Sequence, residues 1–163
     1  MEELKKIIAK ATYGQGIKSF SKDIHIKTME RKRPAEILGL IVTNAAISES
    51  YLEETAEGGK AVRIKGSFDA HLWYALNGDT KVVKAGRKFS DLVTVNGPEG
   101  EEYTNEEVRT WIHGIPQCTG TSVVDSAEGS GVTATVEYEL GAEIVGQTTL
   151  NVKVISTVDF SDD

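Results

Sequence analysis

Val62–Leu76, VRIKGSFDAHLWYAL, alternates apolar and polar residues almost without fault. Val62, Ile64, Phe68, Leu72, Tyr74 and Leu76 fall on one side of an extended chain, with Arg63, Lys65, Ser67, Asp69 and His71 on the other, because successive side chains of a strand point to opposite faces. At ~3.3 Å per residue the run reaches about 50 Å, far beyond an ordinary strand of roughly five or six residues. Gly66 lies inside it, where a bulge or bend is expected. Trp73 and Tyr74 are adjacent, so one packs in a core and the other lies on an outer face. Such a strand predicts a β scaffold.

Downstream, Asn77-Gly78-Asp79 is a tight-turn signal, and Lys81–Val95 completes a β-hairpin. Gly97–Gly100 makes the next turn. Val108–His113 reads as a strand that Pro116 interrupts and Thr119–Val124 resumes, before a Gly/Ser-rich loop over Asp125–Gly131. Val132–Leu140 alternates again, and Gly141 is expected to bend the chain ahead of a last strand pair, Ala142–Ile155. Upstream, Ile37–Thr43 is an unbroken apolar run suited to a buried strand, and the polar Asn44–Lys60 reads as a surface loop with a helical turn near Tyr51–Ala56. Leu4, Ile7, Ile8 and Ala11 follow the spacing of one helical stripe, so Glu2–Thr12 is expected to be a short helix ended by Gly14 and Gly16. The expectation is an all-β fold, an antiparallel β-sandwich or barrel of about eight strands with a short N-terminal α-helix. It divides into a helical N-terminal arm over residues 1–16, a single β domain over 17–158 and a short acidic tail over 159–163.

Charge is distributed unevenly. Residues 1–33 carry nine Lys or Arg against four Asp or Glu, and residues 34–163 carry nine against twenty-one, for a net charge of −7. A basic arm and an acidic body on identical subunits favour head-to-tail association. Nucleic acid is a poor partner for an acidic chain whose basic residues lack interleaved aromatics. No run approaches the ~18 apolar residues of a membrane helix. The start MEELKKIIAK has no hydrophobic signal core, so synthesis and folding inside the cell are expected, without membrane insertion. The single cysteine, Cys118, forbids an internal disulfide.

Candidates for chemistry are few. His25, His71 and His113 show no metal-ligand spacing, and only His71 has an acid, Asp69, at same-face spacing on a strand. No nucleophile accompanies that pair. The acidic pairs Glu53-Glu54, Glu101-Glu102 and Glu106-Glu107 lack the glycine punctuation of a calcium loop. Neither a catalytic residue, a metal site nor a cofactor is therefore expected. Leu4, Ile7 and Ile8, the basic Arg31, Lys32 and Arg33, and Trp73 are the candidate oligomerisation residues. Cys118 is a half-buried thiol or an inter-chain cross-link. An alternative reading is a carbohydrate- or peptidoglycan-binding β-sandwich module with Trp73 or Trp111 exposed on a sheet face.

Five collinear blocks carry a family resemblance: IIAKATYGQGIKSF from Ile7, PAEILGLIVTN from Pro34, VRIKGSFDAHLWYA from Val62 with TKVV following, IPQC at Ile115–Cys118, and AEIVGQTTLNVKV from Ala142. In this order and spacing the chain resembles the outer spore coat morphogenetic protein CotE family. That resemblance implies a non-enzymatic structural protein of endospore-forming bacteria, made in the mother-cell cytoplasm during sporulation and then placed in the outer layer of the spore coat. It implies self-assembly into a homo-oligomeric lattice or cage, attachment to an inner layer and recruitment of other coat proteins. Members of the family carry a long acidic tail, whereas this chain ends in Asp159-Phe160-Ser161-Asp162-Asp163, so recruitment through such a tail is placed in doubt.

Overall fold

The structure, a computed structural model, describes residues 2–28, 36–98, 102–126 and 129–155. Its strands are β1 (Glu2–Lys27), β2 (Glu36–Glu54), β3 (Lys60–Leu76), β4 (Asp79–Val95), β5 (Thr104–Ser126) and β6 (Gly129–Ile155). They form two antiparallel three-stranded sheets, ordered β1-β6-β5 and β2-β3-β4. Both sheets contribute to one apolar cluster, so the molecule is a sandwich with β6 and β3 as its central strands.

The alternation in β3 holds along its length: the even-numbered residues from Val62 to Leu76 are buried. Tyr74 is the core member of the aromatic pair, at 1% exposure, and Trp73 lies half-buried on the outer face. The hairpin expected at Asn77-Gly78 joins β3 to β4, with both residues at positive φ (52° and 80°), as a turn matched to strand twist requires.

No helix occurs among the described residues, and Glu2–Thr12 is not one. Those residues open β1 and pair along their length with the far end of β6, from Glu2 opposite Ile155 to Thr12 opposite Val145. An eleven-residue helix is marginal alone, whereas an adjacent strand satisfies every other backbone group in a ladder, so tertiary pairing overrides the helical spacing. Gly14 and Gly16 end nothing. A Cβ at either would strike the backbone of Asn96 or Thr94, so the two glycines let β1 cross closely over the end of β4.

The eight expected strands are six because glycine, proline and polar runs do not break them. Residues 44–54 continue β2, an edge strand carrying three register shifts, and Asn44 takes φ 53° at one of them. β5 runs through Pro116 by bulging between His113 and Gln117, with Gly114 at φ 78°. β6 passes Gly141 without a break in its pairing to β1 or β5, and the Trp111 ring covers the space a side chain would occupy there. Gly66 does not bulge either. The β3–β4 register is unbroken across it, and its missing Cβ makes room for the Phe89 ring and the Ala46 carbonyl.

A bulge at Tyr13 is the decisive irregularity in β1. Thr12 opposes Val145 and Gly14 opposes Ile144, so Tyr13 is an extra residue. One extra residue exchanges the faces of everything beyond it. After the bulge Phe20, Ile24 and Ile26 face the core; before it Ile7, Ala9 and Ala11 share the core-side face of the sheet.

Candidate functional site

β5 begins at Thr104, opposite Gln147, so from Thr148 to Ile155 β6 pairs with β1 alone. Together residues 2–9 and 148–155 make a two-stranded ribbon about 25 Å long, continuing the first sheet past the end of β5. Its root is fastened. Tyr13, the bulged residue, meets Tyr103 edge to face at 5.3 Å, and Lys60 Nζ lies 4.5 Å from the Tyr13 ring centroid. The same ammonium pairs with Glu106 Oε1 at 2.6 Å.

The core-side face of the ribbon is mainly aliphatic, with Lys5 and Thr148 at its margins, and the other face mixes exposed aliphatics with Lys6, Thr149, Asn151 and Lys153. Ile7, Ala9, Leu150, Val152 and Val154 occupy the core-side face, and Ile7 and Leu150 are each 45% exposed. Leu4 and Ile8, at 77% and 74%, lie on the other face with Lys6. The helical stripe expected from Leu4, Ile7, Ile8 and Ala11 is thus split across two faces, Leu4 and Ile8 on one, Ile7 and Ala11 on the other. What the sequence spacing misses is the β6 half, Leu150, Val152 and Val154, whose alternation extends the core-facing pattern past the end of the core.

Asp69 and His71 lie on the outer face of β3 and do not bond to one another. The Asp69 carboxylate accepts from Asn44 Nδ2 at 2.9 Å and has Lys84 Nζ at 3.6 Å, while His71 Nε2 lies 2.9 Å from Thr43 Oγ1. The Asn44 hydrogen bond, then Lys84, hold the Asp69 carboxyl below the usual carboxylate range. The His71 ring stacks on Trp73 at 6.4 Å. This is a cross-strand network tying β2, β3 and β4 on the outer face of their sheet, with the Thr43 hydroxyl as its member on β2. Trp73 and Trp111 occupy the outer faces of opposite sheets, so they form no common platform for a sugar ring. Cys118 is half-buried on the core side of β5, and its Sγ donates to Gly120 O at 3.5 Å. Arg31, Lys32 and Arg33 lie outside the described residues, as do 156–163. Among the described residues no cluster of His, Cys, Asp and Glu is arranged to hold a metal, and no helix is long and apolar enough to cross a membrane.

On the outer face of the first sheet a depression of about 520 Å³ lies between β1 and the β5 bulge. Ser19, Glu137, Glu139 and Gln117 line it, and Ile115, 79% exposed, stands at its wall. Ser19 Oγ donates to Glu139 Oε1 at 3.2 Å, and His113 Nε2 is 3.9 Å from Glu139 Oε2.

The family model described as outer spore coat protein E (CotE) matches residues 3–163. Comparisons with curated proteins and with solved structures returned no match. With nearly its whole length matched, the chain belongs to the CotE family of structural proteins of the outer spore coat.

Proposed function

We propose that this protein is a morphogenetic component of the coat, assembling with copies of itself and giving other coat proteins an outer layer to build on. The observation that carries this reading is the β1/β6 ribbon: eight residue pairs of regular sheet that extend past the end of β5, with half-exposed Ile7 and Leu150 on the core-side face and exposed Leu4 and Ile8 on the other. Contiguous exposed apolar surface at the end of a strand pair marks an association site, because it is costly to leave in water. Burying the exposed half of Ile7 or Leu150 against another subunit contributes about 1 kcal/mol each, and the gain recurs at every subunit of a repeating array. Assembly would begin in the mother-cell cytoplasm and finish in the outer coat.

The test is Ile7→Asp combined with Leu150→Asp. The wild-type chain is expected to elute as large particles by size-exclusion chromatography with light scattering, visible as ordered sheets, cages or fibres by electron microscopy. The double variant is expected to elute as monomers or small oligomers with the same β-rich circular dichroism. A monomeric wild type, or a variant that assembles as the wild type does, would sink the reading. Cys118 is proposed to be dispensable for this step, since its thiol faces inward from β5.

A further inference from the structure

The ribbon's outer face and the depression beside the β5 bulge are complementary. On the ribbon, Leu4 and Ile8 are apolar and open, and Lys6 lies between them on the same face. Lys10, next along that face, is 3.5 Å from Glu107 of its own chain, while Lys153 of β6, opposite Leu4, shares the face with Lys6 and adds to its positive charge. At the depression the pattern is reversed in sign: Glu137 and Glu139 supply two carboxylates, and Ile115 supplies an exposed aliphatic knob. The bulge that raises Ile115 is built in by the five residues of β5, His113–Gln117, that span only the three residues Glu137–Glu139 of β6.

We propose that the depression receives the ribbon of a second copy, with Leu4 and Ile8 against Ile115 and Lys6 directed at Glu137 and Glu139. This rests on the self-assembly reading above and adds the acceptor surface. Each subunit has one ribbon and one depression, and they are different surfaces. The contact is therefore head-to-tail, and repeated it gives an open fibre or a ring rather than a closed two-fold pair. Opposite charges at the two surfaces steer the encounter and fix its direction, while the aliphatic contact holds it.

Two blocked chains test the idea. Leu4→Asp with Lys6→Glu disables the ribbon's outer face, and Glu137→Lys with Glu139→Lys disables the depression. Each is expected to raise the protein concentration needed for assembly about tenfold or more. With Ile7→Asp and Leu150→Asp added to both chains to remove the core-side contact, an equimolar mixture of the two is expected to give one-to-one heterodimers by light scattering, because each chain still offers one intact surface. Ile115→Asp, a change at an exposed side chain, is the second probe of the depression should the charge reversals disturb the fold. If both depression variants assemble as the wild type while the ribbon variant does not, the acceptor is wrong and self-assembly stands. A wild type that never assembles would overturn both, and a mixture that stays monomeric would overturn the head-to-tail pairing.

Discussion

Single side chains settle where the chain can and cannot be altered. Gly66 is central in β3, and a methyl group there would meet the Ala46 carbonyl and the Phe89 ring, neither of which can retreat without disturbing a ladder or the core. Gly66→Ala is therefore expected to cost about 1–3 kcal/mol, read as a lowered midpoint in thermal unfolding; an unchanged midpoint would show that β2 yields locally. Tyr138 is the polar member of a core aromatic group with Phe20, Phe68 and Phe89, and its hydroxyl donates to Asp91. Burial first, then the hydrogen bond to that carboxylate, raise its pKa far above the ordinary tyrosine value. The folded state thus retains a proton that the unfolded chain releases near pH 10, so this group's contribution is complete below about pH 10 and is lost as pH rises beyond it. Tyr138→Phe is expected to flatten the fall in stability between about pH 10 and 11 measured by urea unfolding, and to cost about 1 kcal/mol at neutral pH. The adjacency of Trp73 and Tyr74 already required one to be buried. Which one depended on the even-numbered face of β3 being the face toward β6, a fact of sheet stacking rather than of local pattern.

At the scale of elements, the ribbon is the least supported part of the sandwich. Its strands have one ladder between them and half-exposed apolar side chains, so local opening there costs less than in β3 or the middle of β6. Hydrogen exchange followed by mass spectrometry is expected to show rapid exchange over residues 4–8 and 149–155 in dilute monomer and strong protection in assembled material. Equal exchange in both states would place the contact elsewhere. The stretch Leu4–Ala11 also shows why its form was not legible locally. Leu4, Ile7, Ile8 and Ala11 fit one helical stripe, yet Leu4 with Ile8 and Ile7 with Ala9 and Ala11 also fit the two faces of a strand, and the choice was made by a partner more than a hundred residues away, the AEIVGQTTLNVKV segment of β6. The bulges were hidden for a similar reason: each lies where an outer strand must shift against a regular central one. Asn44 and Asn105, both at positive φ beside register shifts in β2 and β5, were the residues that marked two of them.

For the whole molecule, the basic first 33 residues and the acidic remainder give salt a direct role. Raising ionic strength from about 0.1 M to about 1 M shortens the screening length from about 10 Å to about 3 Å. Assembly is expected to weaken over that range by light scattering. An unchanged size distribution would assign the contact to apolar surface alone. The sequence by itself determined the all-β class, the two-faced alternation of β3, the Asn77-Gly78 hairpin and, through collinear blocks, the CotE family, because these depend on residue alternation, backbone preference and order along one chain. Only the tertiary structure decided that the N-terminal segment is a strand, that eight expected strands are six, and that Leu4 and Ile7 point to opposite faces of a ribbon. Those outcomes depend on which distant strand completes the hydrogen bonds, and a single inserted residue at Tyr13 reverses every face beyond it.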